Sequence, residues 1–245
     1  MGTIKTKGII LAEHNMGDYD KMVTLLTPGM GKISCVAKGA RRTKSQIMAG
    51  SQFLCFADYV LYQGTQTYHI NSCETIEVFY HIRTDLDKLK YASHITKIIA
   101  DVTDENQNCY KIIQLFLNTL YMISETDQNL EWITAVFKLR LMCLLGFVPN
   151  VMICGNCKKT AKEEQMAYFS MRESSLMCNL CGRQDKSAIE ILPATADAIR
   201  YIVMAPAKKL YSFQIPENSI KELSIIAKLY TNEKLEKEYK LEELF

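Results

Sequence analysis

Cys154-Gly155-Asn156-Cys157 and Cys178-Asn179-Leu180-Cys181 stand twenty residues apart, and no other feature of the chain restricts its fold so sharply. A tight C-x-x-C turn lets two sulfurs share one ion while backbone N–H groups point at them, and two such turns supply the four ligands of a structural zinc site. Gly182, directly after the second pair, suits such a turn. Four thiolates on one dication leave excess negative charge, which Lys158, Lys159 and Arg183 beside the knuckles are placed to offset. With all four positions filled by protein, the zinc stabilises folding and has no open position for activating water. A redox pair would leave the second C-x-x-C unexplained, and two disulfides are disfavoured in a reducing compartment. The remaining cysteines, Cys35, Cys55, Cys73, Cys109 and Cys143, lie in apolar runs and are expected as small buried hydrophobes.

Ahead of the knuckles the pattern changes once. Residues 1 to about 80 are rich in β-branched and aromatic side chains, with turn residues at short intervals, which predicts five strands: Thr3–Ala12, Met22–Thr27, Lys32–Lys38, Phe53–Tyr62 and Gln66–Glu74. Pro28-Gly29-Met30-Gly31 connects the second to the third. In that third strand Ile33, Cys35 and Ala37 alternate with Lys32, Ser34 and Lys38, so the lysines are expected on the solvent face, with Val36 out of pattern. From Thr84 the apolar period becomes helical: Leu86, Leu89, Ile95, Ile98 and Ile99, then Ile112, Ile113, Phe116, Leu120 and Ile123, then Ile133 to Leu145. Polar breaks at 104–108 and 125–129 separate these three helices, and Gly146 with Pro149 ends the last. Two more helices, Pro193–Ala205 and Ile220–Tyr239, are expected to complete a bundle with them, and the Glu-rich tail after Thr231 reads as a solvated helical end. The organisation expected is a barrel at 1–80, a helical domain at 81–150 and 188–245, and a metal element inserted at 151–187.

The 29 basic and 27 acidic residues nearly cancel, so a charge-driven function has to come from clustering. It does cluster. Between Pro28 and Met48 stand Lys32, Lys38, Arg41, Arg42 and Lys44 and no carboxylate. Lys38 to Ser45 reads as a mobile loop leaving the third strand, with Gly39 allowing the bend and Thr43 and Ser45 able to donate to phosphate oxygens. Guanidinium groups grip phosphate with two prongs, and lysines act as point charges. Phe53, Phe56, Tyr59, Tyr62 and Tyr68 stand on nearby strands, and basic grooves with aromatic platforms bind single strands by tracking phosphate and stacking bases, although most of these rings are expected in the core. Five neutralised phosphates give a salt slope of about 3.5 for a single strand and about 4.5 for a duplex.

No apolar run approaches the length that crosses a bilayer, and the amino terminus lacks the regions of a secretory signal, so a cytoplasmic protein is expected. Met1-Gly2 with Thr6 fits the loose myristoylation pattern, yet the same residues read as a first strand. His14, His69, His81 and His94 are scattered and are read as structural. Asp18 and Asp20 are explained by a turn between strands. With no nucleophile elbow, phosphate loop, dinucleotide fingerprint or zinc-protease motif, a non-enzymatic protein is expected.

Several runs together resemble the bacterial RecO family of DNA repair and recombination mediators. They are Gly17 to Thr27, Gly31-Lys32-Ile33, Val36 to Arg42, and Leu144-Leu145-Gly146-Phe147-Val148-Pro149 leading into Cys154 and Cys157. The resemblance covers essentially the whole chain. It implies an α+β protein with a five-stranded oligonucleotide/oligosaccharide-binding (OB) barrel followed by a helical domain carrying an inserted four-cysteine zinc element. It also implies binding of single- and double-stranded DNA, annealing of strands coated by single-stranded DNA-binding protein (SSB), and loading of RecA together with RecR, with nucleoid association in a bacterial cytoplasm and no membrane partner. By matching positions Lys38, Arg41 and Arg42 fall on the DNA surface; Lys32, Lys44, Lys5 and Lys7 are added on charge alone. The family captures the acidic, apolar SSB tail on its helical domain, where Lys138 and Arg140 could supply charge, although two exposed helix positions is the simpler reading. The chain departs from the pattern at Asp18, where Glu is frequent, and at Ser174-Ser175, where a glycine pair is frequent.

Two other classes compete. A zinc-ribbon adaptor in transcription or RNA metabolism could use the same barrel, since such barrels also bind RNA. A thiol redox or hydrolytic enzyme could use the cysteines. Annealing of SSB-coated DNA separates the first from a mediator, and metal analysis separates the second.

Overall fold

The computed structural model describes residues 2–65, 67–161 and 163–241, and these form two compact units, one reaching to Glu125 and also holding Leu241, the other spanning Thr126–Lys240. In the first, β1 (Thr3–Met16), β2 (Asp20–Thr27), β3 (Gly31–Ala37), β4 (Phe56–Gln63) and β5 (Tyr68–Glu77) close a barrel in the order β1-β2-β3-β5-β4, with only the β3–β5 pair parallel. This is the expected OB barrel. Its interior is the period-two set Ile10, Val23, Leu25, Ile33, Cys35, Ala57, Tyr59, Leu61 and Ile70. Ile9, Leu11 and Leu26 on the opposite parity are buried as well. Three helices follow: α1 (Tyr80–Thr84), α2 (Leu86–Val102) and α3 (Tyr110–Glu125), and α2 lies against β1 while α3 lies against β2. The Asp85 side chain caps α2 by accepting from Lys88 N at 3.0 Å.

The strands differ from the expected bounds for local reasons. β1 runs on to Met16 because its ladder with β2 continues past a bulge at Ile10–Ala12, with Glu13 and Lys21 paired across it. β4 begins at Phe56 rather than Phe53, because the backbone before it turns through Leu54 at φ +61° while Leu54 N donates to Ile10 O at 2.9 Å. Gln66, the expected start of the fifth strand, and Met1, of the myristoylation pattern, lie outside the described residues.

The second unit contains α4 (Leu130–Leu144), a small antiparallel sheet of β6 (Met166–Ser170) and β7 (Ser175–Cys178), the single turn α5 (Asn179–Gly182), β8 (Ala188–Glu190) completing the sheet in the order β7-β6-β8, and then α6 (Pro193–Met204) and α7 (Glu217–Lys234). The Asn129 side chain caps α4, accepting from Trp132 N at 3.0 Å. α4, α6 and α7 pack on one another, so the bundle expected from five helices draws only one of the first three; α2 and α3 cover apolar barrel positions instead. Tyr230 of α7 meets Phe169 of β6 edge to face and donates its hydroxyl to Phe147 O at 3.2 Å, fixing the sheet to the bundle. α7 stops at Lys234, short of the expected Tyr239, and the buried Tyr239 lies in the irregular chain after it; the last four residues of the Glu-rich tail lie outside the described residues.

Candidate metal centre and nucleic-acid interface

The four knuckle sulfurs lie within 4.8 Å of one another, and Cys178 Sγ is 3.8 Å from both Cys154 Sγ and Cys157 Sγ. A tetrahedral zinc with bonds of about 2.3 Å has sulfur–sulfur edges of about 3.8 Å, so this cluster has the size for one metal ion. The first knuckle is a turn closed by Lys158 N to Cys154 O, at 3.2 Å, and the second is the α5 turn opened by Cys178. Gly182 serves close packing rather than a special backbone angle: a Cβ there would stand 2.2 Å from the Tyr168 ring. Burial raises the Cys154 thiol, but N–H groups of Cys178, Cys157 and Asn156 aimed at its sulfur more than offset that and hold it down at about 6. Burial and the neighbouring thiols push Cys178 up to about 12. Cys154 therefore ionises readily, and Cys178 and Cys181 resist joining it until a cation supplies the opposing charge. Of the three cations expected nearby, Lys159 feels the Cys157 and Cys178 sulfurs but is paired with Glu164 at 2.8 Å, Lys158 turns its ammonium onto Gly155 O at 2.6 Å, and Arg183 is exposed.

Four residues after Cys181, Asp185 is held down at about 2 by hydrogen bonds from Ser170 Oγ at 2.6 Å, Ser187 Oγ at 2.7 Å and Ser187 N at 2.9 Å. The hairpin between β6 and β7 turns at Ser174, whose φ of +46° is the backbone state glycine adopts most easily. Of the other five cysteines, Cys35, Cys55 and Cys109 are buried and Cys73 and Cys143 half-buried; burial raises every one, Cys35 to about 12 and Cys143 to about 11.

The cationic segment, expected as a mobile loop, is tied to the barrel by packing and hydrogen bonds. Ala40 and Ile47 insert into the barrel core and anchor it at both ends. Gly39, at φ +69°, makes the bend out of β3, and its N–H donates to Asp20 Oδ1 at 2.7 Å. Arg41 N donates to Tyr19 O at 2.9 Å and Arg41 Nη1 to Gly17 O at 3.0 Å, which stitches the segment to the β1–β2 turn. Arg42 lies over the Tyr19 ring, 5.1 Å from its centre. Asp20, expected only as part of a turn, and Tyr19 thus orient the loop. Lys38, Arg41, Arg42 and Lys44 are all exposed, and none of the four is ion-paired among the described residues.

Lys32 does not join them. It is half-buried and its ammonium donates to Ala100 O near the end of α2, while its N–H donates to Asp104 O at 3.1 Å, so it leaves the solvent face expected for it. Lys5 and Lys7, toward the start of β1, stand opposite Val60 and Asp58 of β4, and Lys7 is 3.9 Å from the Asp58 carboxylate. Among the aromatics, Tyr59 is core and donates to Gly50 O at 2.6 Å, Phe53, Phe56 and Tyr68 are half-buried, and Tyr62 is exposed.

In the second unit, Lys138 and Arg140 are not the exposed positions expected. Lys138 is buried, and burial, then the like charge of Lys228 on α7, lower it to about 8. Arg140 Nη1 donates to Ile202 O at 3.1 Å and Val203 O at 2.9 Å, closing the end of α6. Among the described residues no helix is long and apolar enough to cross a membrane.

Comparison with known proteins gives a consistent result. The family model for the amino-terminal part of recombination protein O matches residues 1–79, and that for its carboxyl-terminal part matches residues 83–243. The DNA repair protein RecO of Acetivibrio thermocellus is 42% identical over 239 residues, 98% of this chain and 94% of that protein. Those of Alkaliphilus metalliredigens and a Thermoanaerobacter species are 32% and 31% identical, covering 93% and 98% of this chain and 92% and 96% of theirs.

Proposed function

The chain belongs to the RecO family of DNA repair proteins, and from that membership we propose that it acts as a recombination mediator without covalent chemistry, binding single- and double-stranded DNA through its barrel. The observation that carries this reading is the exposed quartet Lys38, Arg41, Arg42 and Lys44, held out by a segment tied to the β1–β2 turn and, among the described residues, paired with no carboxylate. Backbone neutralisation carries no base identity, which suits a protein that holds two complementary strands until they pair. In this reading residues 1–80 form the DNA-binding part, 151–187 the zinc element, and the two helical stretches around it the partner-binding part.

Zinc fits the sulfur tetrahedron, with Cys154, Cys157, Cys178 and Cys181 as its ligands, and when bound it supplies cross-linking rather than Lewis-acid chemistry. The chain's own contribution is to aim backbone N–H groups at Cys154 and to support the sheet through Asp185. On α7, Ile225 and Leu229 are exposed beside Lys228, whose charge acts on the buried Lys138. An acidic, apolar tail such as that of SSB would cover the apolar pair and relieve the repulsion between two ammonium groups. RecR and, through it, RecA complete the proposed set of partners, in a bacterial cytoplasm at the nucleoid. The direct test is annealing of complementary oligonucleotides coated by SSB. Acceleration is expected, with the Arg41→Ala/Arg42→Ala variant slower; failure of the wild-type chain to anneal coated strands would remove the mediator reading.

A further inference from the structure

We propose that Tyr62, backed by His69, is the base-stacking platform of the barrel, an inference that rests on the DNA-binding reading and says how a single strand is distinguished from a duplex. The two rings lie face to face, 4.7 Å between centres and 6° from parallel, yet Tyr62 remains 40% exposed. An aromatic stack left open on one face is unlike the other barrel aromatics: Tyr59 is sealed inside and Tyr68 packs against the core.

The strand register places this pair among cations. Tyr62 is opposite Thr3 on β1 and His69 on β5, and His69 is opposite Val36 on β3. Interior positions on these strands include Leu61, Ile70, Cys35 and Ala37, so Tyr62, His69 and Val36 share the outer face. On that same face Lys5 lies two residues from Thr3, a diagonal neighbour of Tyr62, and Lys38 directly follows the end of β3, the strand that pairs with His69. Both lysines are exposed. The carboxylates Asp58 and Glu74 oppose each other further along β4 and β5, where Lys7 faces Asp58. A base laid on Tyr62 would thus have Lys5 beside it on the same face and the cations after β3 close in the strand order for the flanking phosphates, the combination of aromatic platform and basic groove that binds single strands. A duplex keeps its bases stacked inside and cannot use Tyr62; it is left with the arginine loop.

The test uses the whole protein, a fluorescein-labelled oligothymidylate and a labelled duplex of the same length. Tyr62→Ala is expected to weaken oligothymidylate binding about tenfold while leaving duplex affinity and both salt slopes unchanged, and Tyr62→Phe, which keeps the ring, to bind as wild type. Ultraviolet cross-linking of oligothymidylate to the unaltered chain is expected to mark the peptide that contains Tyr62, so the inference stays testable should Tyr62→Ala fold poorly. Unchanged oligothymidylate affinity in Tyr62→Ala, equal loss on both ligands, or cross-links confined to other peptides would overturn the platform while leaving cationic binding intact. Absence of binding by the unaltered chain to either ligand would overturn the DNA-binding reading, and the platform with it.

Discussion

The cysteine cluster and the arginine loop are both small, irregular and rich in polar atoms, but they differ in where their interactions end. The knuckle sulfurs have their partners within the element: they lie within 4.8 Å of one another, and N–H groups of Cys178, Cys157 and Asn156 are aimed at Cys154. In the loop the backbone is held through Gly39 N to Asp20 and Arg41 N to Tyr19, and the charged ends, though Arg41 reaches Gly17 O and Arg42 lies on Tyr19, meet no carboxylate among the described residues. A site that closes on itself stabilises a fold, and a site that fixes its frame and leaves its charges exposed binds something else. Anchoring on its own does not separate the two, because the loop too is pinned to the core, by Ala40 and Ile47.

The sharpest way to break the contrast is to remove the metal. Structural zinc contributes on the order of 10 kcal/mol to peptides that fold around it, so Cys178→Ser, or chelation of the purified protein, should unfold the small sheet. The expected signature is rapid protease cleavage within 151–187 and a lowered melting temperature. Oligonucleotide affinity should stay near its starting value; a large loss would mean that the knuckles belong to the binding surface.

Next in size is the loop. Arg41→Ala with Arg42→Ala should lower the salt slope on a single strand by about 1.4, measured by titration across a series of salt concentrations. Lys32→Ala is the control that sharpens the comparison: it should leave the slope unchanged and reduce thermal stability, since its ammonium already serves Ala100 O. A slope that falls with Lys32→Ala would return this residue to the DNA surface.

Lys32 also shows how far the sequence could be read. The five strands, the three-helix run and the cysteine ligands follow from period and spacing, which are local. The fate of Lys32 is decided by a helix end 68 residues away and that of Arg140 by one 62 residues away, and neither contact leaves a mark on its neighbours. The same holds for the loop: composition gave its cations, whereas its fixed conformation depends on Asp20 and on two small apolar plugs that only the closed barrel makes meaningful. The start of β4 moved for a related reason, since a left-handed leucine carries no sequence signature.

Lys138 gives a smaller effect with a defined sign. Its folded-state value, lowered to about 8, lies below the ordinary lysine value, so between the two the unfolded chain holds more protons and stability rises as the pH rises through that window. Below it the folded protein carries a buried ammonium at a cost. Lys138→Met, similar in volume and uncharged, should therefore raise the melting temperature at neutral pH by a few degrees and abolish the gain otherwise seen on going to alkaline pH. If the acidic tail of SSB docks at this place, the same substitution should weaken capture of that peptide, so stability and binding would move in opposite directions.

The smallest expected change lies in the turn between β6 and β7. Ser174 holds φ at +46°, where a side chain is disfavoured and glycine is not, and the family resemblance puts glycine here frequently. Ser174→Gly removes that strain at the expense of a more flexible unfolded chain, and it gives up the 3.4 Å hydrogen bond from Ser174 Oγ to Met171 O. The gain should be about 0.5 kcal/mol in chemical denaturation of the metal-loaded protein. Ser175→Gly is the informative partner: Ser175 is buried in a paired strand position, and a Cβ on Gly155 would stand 2.0 Å from its hydroxyl oxygen, so the serine already fills the space beside the first knuckle. That second substitution should destabilise, because it opens a void against the metal cluster where the first only relaxes a turn. Opposite signs at adjacent serines would show that the departure from the glycine pair is backbone strain at one position and packing at the next.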